Sequence, residues 1–134
     1  MKTFQIASAL IELGAGLALL SYPSVAVALL VGAPPEGPIA LTVVRVCGAA
    51  LLTLGVACWL ARGDTQSRAA NGLVAAMLLY DVAVAAILAF AAIGNGLYGV
   101  ALWPAVILHT VLSFWCVACL RHRSLKLSLL EFKS

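Results

Sequence analysis

The chain has 134 residues, 64% of them hydrophobic and 10% charged, with a formal net charge of +3 and a mean hydropathy of +1.12. A soluble domain carries about 25% charged residues, so this chain cannot cover a globular surface with charge, and lipid is its expected solvent. The basic residues stand between apolar runs and form no continuous patch, which argues against a nucleic-acid partner.

The first apolar run extends from Phe4 to Val31 and is interrupted only by Ser21-Tyr22-Pro23-Ser24. A lysine before an apolar run, with Ala26-Val27-Ala28 further on, has the outline of a secretory signal. Glu12 in the middle of the run, and a run longer than about 7–15 residues, predict a retained helix instead. Roughly 20 residues cross the hydrocarbon core, so the excess is expected to tilt or to continue past a kink at Pro23. Gly32-Ala-Pro-Pro-Glu-Gly-Pro38 then ends any helix.

The second run, Ile39 to Ala61, closes on Cys58-Trp59-Leu60-Ala61-Arg62, an interfacial indole followed by a cation. Gly63 to Arg68 is a polar loop, the third run extends from about Ala69 to Ile93, and Gly94-Asn95-Gly96 is a turn signal. The fourth run extends from about Leu97 to Leu120 and is closed by Arg121-His122-Arg123. In the tail, Leu125, Leu129 and Phe132 fall on one helical face with Lys126 and Lys133 elsewhere, as in a short helix lying on a membrane surface. The expected fold is therefore all-α: one polytopic membrane domain over 1–134, with four transmembrane helices at about 4–31, 39–61, 69–93 and 97–120 and an interfacial tail over 121–134.

Orientation follows from the basic residues. Lys2, Arg62, Arg68, Arg121, Arg123, Lys126 and Lys133 belong to the N-terminus, the second loop and the C-terminus, while the first and third loops hold no lysine or arginine. The positive-inside rule then predicts a multi-pass inner-membrane protein with both termini cytoplasmic.

Each run carries one ionisable side chain: Glu12, Arg45, Asp81 and His109. A charge inside a membrane helix is costly and marks a functional site by default. At about 1.5 Å per residue, Glu12 lies roughly 12 Å from its helix end, Asp81 and His109 about 16–18 Å from theirs, and Arg45 about 9 Å. These depths allow one ligand- or proton-binding cluster of all four. Its two acids and one arginine would then need a single further proton for neutrality. Helical spacing supports a shared interior, because Ser8, Glu12 and Ala15 share a face, as do His109, Ser113 and Cys116, and Asp81, Ala85 and Ala92. Gly14 and Ala18 form a small-x-x-x-small pair for close helix approach.

Four cysteines complete the inventory. Cys116-Val117-Ala118-Cys119 is a CxxC, the one candidate redox pair. It resembles the membrane CxxC of vitamin K epoxide reductases, yet it falls at the predicted cytoplasmic end, where thiols stay reduced, and the outer loops carry no cysteine. Cys47 and Cys58 share a face of the second run that is roughly opposite Arg45, and small apolar filling is their expected role. No histidine or carboxylate spacing in the sequence suggests a zinc or haem site, and His109 is the one residue that alone could ligate a haem.

Ile11-Glu12-Leu13-Gly14-Ala15-Gly16 resembles a helix segment of small four-helix bacterial membrane proteins of the DoxX-like type. That resemblance implies a four-helix bundle acting as an accessory protein. The glutamate in the first run is also similar to the carboxylate of small multidrug resistance transporters, although Arg45 and the fixed topology depart from them. The sequence thus predicts a non-enzymatic accessory or structural subunit, homo-oligomeric or within a membrane complex, with lipid as its surroundings and no cofactor. A proton-coupled transporter or channel for a small solute is the second reading, and a membrane thiol oxidoreductase the third.

Overall fold

The computed structural model describes residues 1–64 and 67–131, with side chains through residue 122. Its described residues form five helices and no strand: α1 (Lys2–Ser21), α2 (Pro23–Val31), α3 (Gly37–Ala61), α4 (Arg68–Ile93) and α5 (Leu102–Glu131). Four of them, α1, α3, α4 and the Leu102–His122 part of α5, are long and apolar enough to cross a membrane.

The first apolar run divides in two. Tyr22 leaves helical geometry at φ −133° and ψ 57°, and Pro23 becomes the first residue of α2. Proline has no amide hydrogen for the preceding turn and its ring crowds that turn's carbonyl. The chain therefore stops a membrane-length helix and starts a second one, where a single kinked or tilted helix was expected. The fourth long helix starts at Leu102 rather than near Leu97, because residues 97–101 are held against α2. Ala101 N donates to Leu29 O at 2.9 Å. Gly99 lies so close to the backbone of Leu29 and Leu30 that no Cβ would fit. Gly32 caps α2 at φ +90°, with the Tyr98 carbonyl where a side chain would begin. The backbone of α5 continues through Glu131. The expected faces of the tail, on Leu125, Lys126, Leu129, Phe132 and Lys133, lie outside the described side chains.

Helices α1 and α3 run antiparallel in close contact. A Cβ on Gly16 would sit 2.7 Å from Gly48 O, and one on Gly55 would sit 2.9 Å from Leu13 N and 3.1 Å from Ala9 O. Backbones this close need glycine. The expected Gly14/Ala18 pair is not used, since both residues are exposed and nothing lies within 4 Å of a Cβ on Gly14. Helices α4 and α5 pack along each other as a second pair, and the two pairs touch more sparsely. They meet across Phe4, Cys58, Val74, Met77, Leu112 and Cys116, with Phe4 edge-on to Trp115 at 5.7 Å.

This core lies toward the end of the bundle where α1 begins. Cys47 and Cys58, eleven residues apart on one face of α3, show the consequence: Cys58 is buried and Cys47 exposed. The α4–α5 pair covers that face of α3 at one end and leaves it open at the other.

The outer surface is apolar, with Val46, Leu60, Leu79, Phe90 and Phe114 all exposed. Threonines on it donate to their own helix: Thr42 to Pro38 O (2.8 Å), Thr53 to Ala50 O (2.7 Å) and Thr110 to Val106 O (2.7 Å). Such back-bonding is how a hydroxyl is satisfied where no water is at hand. Polar features gather at the helix ends. Ser67 caps α4 by accepting from Ala70 N at 3.0 Å, and the Arg62 guanidinium lies 4.1 Å over the Trp59 ring.

Candidate functional site

One stripe of α1 is polar. At about 100° per residue, Gln5, Ser8 and Glu12 fall within about 60° of one another and span about 10 Å of the helix axis. All three are enclosed by the bundle, with Gln5 and Ser8 fully buried and Glu12 only 1% exposed. Gln5 Nε2 and Oε1, Ser8 Oγ and Glu12 Oε1 make no hydrogen bond to any described residue. The contrast with the threonines is informative, because those outward hydroxyls are satisfied within their own helix and these inward groups are not.

The second pair of helices supplies the other groups. Asp81, midway along α4, is fully buried, and His109 on α5 is 8% exposed. His109 Nδ1 lies 2.7 Å from Asp81 Oδ1, an imidazole–carboxylate hydrogen bond that fixes the ring. Tyr80 joins the two halves: its hydroxyl donates to Glu12 Oε2 at 3.1 Å, and its ring stands edge-on to His109 at 5.6 Å. Cys116 Sγ donates a long contact to Asp81 Oδ2 at 4.0 Å. One ligand-type atom from each of Glu12, Asp81 and His109 lies within 4.8 Å of the other two. Three of the four expected residues therefore meet, at the joint between the helix pairs.

Arg45 is not among them. It is exposed on α3 and forms no ion pair or hydrogen bond with the described residues. The cause is angular. Gly48 and Gly55 turn toward α1, with Arg45 about 60° to one side of that line and Cys58 about 80° to the other. The α4–α5 pair covers the Cys58 side, and Arg45 on the other flank is left exposed. All four cysteines are free thiols; Cys116 is buried and Cys119 partly so.

Two participants were not selected from the sequence. Gln5 carried a usable signal, its position seven residues before Glu12 on the same face. Tyr80 carried none, since it sits about 100° around α4 from Asp81 and reaches Glu12 through the length of its side chain.

Losing Arg45 changes the charge balance. With a neutral imidazole, the cluster has two carboxylates and no cation, so a buried, neutral site needs two positive charges rather than one. Two protons or one divalent ion would supply them. Comparison with protein-family models, curated proteins and solved structures finds no match for this chain.

Proposed function

We propose that the chain is a small integral inner-membrane protein that binds a cation between its two helix pairs and couples proton movement at that site to transport of a small solute. Glu12 is the observation that carries this reading. Asp81 and His109 alone would suffice to hold α4 to α5, so a purely structural contact has no need of a third ionisable group. Glu12 comes from the opposite pair, and one of its buried oxygens is unpartnered. An anionic solute, which an arginine in the cluster would have favoured, has no support now that the site is acidic. The basic residues Lys2, Arg62, Arg68 and Arg121 stand at one end of the bundle, which supports placing that end in the cytoplasm.

Proteoliposomes containing a trapped pH indicator test the proposal. Panels of small cations, anions, sugars and amino acids would be added outside at a fixed pH. A solute-dependent change in internal pH that is lost in Glu12→Gln supports it. No response to any class overturns it.

A second reading, an accessory subunit of an oligomer or membrane complex, is favoured by Arg45. A cation exposed on an apolar helix of membrane length is costly in hydrocarbon, and an acidic group on a neighbouring helix would relieve that cost. Cys47, also exposed, is two residues away. Oxidative cross-linking of chains through Cys47 in native membranes, lost in Cys47→Ser, supports an oligomer; chains that stay uncross-linked and sediment as monomers in detergent count against it.

A further inference from the structure

We propose that Glu12, Asp81 and His109 form a binding site for one divalent transition-metal ion, with the buried Gln5 and Ser8 beside it on α1. The inference rests on the reading of the cluster as a cation site and names the class of ion.

Three observations converge on it. The donor set is one imidazole and two carboxylates from three helices, with one donor atom of each within 4.8 Å of the others. Ligands around a metal at about 2.0–2.2 Å stand roughly 3–3.5 Å apart, so a modest closure of the two helix pairs would complete the site. Asp81 Oδ1 and His109 Nδ1, now hydrogen-bonded at 2.7 Å, would release the proton between them to solvent and part slightly to take the metal, while Glu12 would draw in from the opposite pair. The formal charge of the two carboxylates matches a single divalent ion. Finally, Glu12 Oε1 is buried without a partner, in the position of a donor awaiting an acceptor, and the Gln5 and Ser8 side chains behind it are equally unsatisfied.

The mixed donors decide the class of metal. Magnesium and calcium favour all-oxygen sites with many ligands. An imidazole beside two carboxylates suits manganese, iron, cobalt or zinc. Cys116 is not part of the donor set, although its thiol reaches Asp81 at 4.0 Å. It stands where an outer group can hold a ligating carboxylate in place.

The test uses the full chain purified in detergent, stripped with a chelator and titrated with Co²⁺ alone, then with Zn²⁺ and Mg²⁺ as competitors. Expected results are one Co²⁺ per chain, visible d–d bands without a thiolate charge-transfer band, displacement by Zn²⁺ and indifference to Mg²⁺. Glu12→Gln should weaken Co²⁺ binding by tenfold or more while keeping the wild-type circular dichroism and elution volume. Glu36→Gln, which alters an exposed loop acid, should bind as the wild type does. Glu12→Asp, which keeps the carboxylate, should retain part of the affinity. Binding that is absent in the wild type, or equally strong in Glu12→Gln, overturns the proposal. Solute-coupled flux without metal binding would leave the transport reading standing and remove this one. Metal binding without flux would do the reverse.

Discussion

Adding one methyl group at either of two nearby glycines in α1 tests how the bundle is assembled. Gly16→Ala places a Cβ 2.7 Å from both Gly48 O and Leu52 N, while Gly14→Ala places one in open space. Non-bonded carbon contacts are comfortable from about 3.5 Å, so α1 and α3 must part by roughly 0.8 Å to admit the first methyl. A gap of about 0.5–1 Å forfeits a quarter to a half of each contact it opens. Overpacking of this kind costs about 1–3 kcal/mol. Replacing glycine by alanine in a helix returns about 0.8–1 kcal/mol at either position, so that gain cancels when the variants are compared. Gly16→Ala should therefore be less stable than Gly14→Ala by about 1–3 kcal/mol, and Gly14→Ala should equal or exceed the wild type. Unfolding by heat or by SDS in mixed micelles, followed by far-ultraviolet circular dichroism, measures the difference. Equal stability of the two variants would refute the glycine contact between α1 and α3.

Further measurements address the site. A double-mutant cycle over Asp81→Asn and His109→Ala should return a coupling of about 1–2 kcal/mol, the upper range for hydrogen bonds between membrane helices; a coupling near zero would mean that the 2.7 Å contact does not hold α4 to α5. Tyr80→Phe keeps the ring against His109 and removes the hydroxyl that donates to Glu12, so it should cost about 1 kcal/mol in the wild type and almost nothing in a Glu12→Ala background. Thiol labelling separates the cysteines: in detergent Cys47 should react with a maleimide first, while Cys58 and Cys116 react only on unfolding. Mass spectrometry of the labelled peptides reads that order, and early labelling of Cys58 would contradict a closed joint between the helix pairs.

What the sequence made legible was mainly what depends on position along an axis. Apolar run lengths placed the four long helices, and the spacing of Glu12, Asp81 and His109 along theirs put the three groups at compatible depths. The division at Tyr22 was less accessible, because a proline after an apolar run is equally consistent with a kink inside one helix and with the start of another. In the structure α2 is held as a separate helix by residues 97–101 through Ala101 and Gly99, a contact between distant parts of the chain. The same limit applies to Gly14 and Gly16. Both sit in the same small-residue segment, and only the direction of α3 determines which one must lack a side chain.

Arg45 shows how a single angular choice propagates into chemistry. Arg45 and Cys58 are about 140° apart around α3, so only one of them could face the joint. Charge alone favours Arg45 there, because a cation offsets Glu12 and Asp81. The glycines settle the matter differently. Gly48 and Gly55 commit the line between those two residues to α1, after which the α4–α5 pair can cover only one flank, and it covers the one bearing Cys58. The small thiol admits close packing beneath the cluster, whereas an arginine there would have filled the space and neutralised one acid. With the guanidinium outside, two protons or one divalent ion would balance the two acids. On the proposed cation site, occupancy would vary with conditions and would alter how tightly Glu12 on α1 is drawn to Asp81 and His109 on the opposite pair. The residue that left the cluster is thus what makes an exchangeable ion the simplest account of the residues that remain.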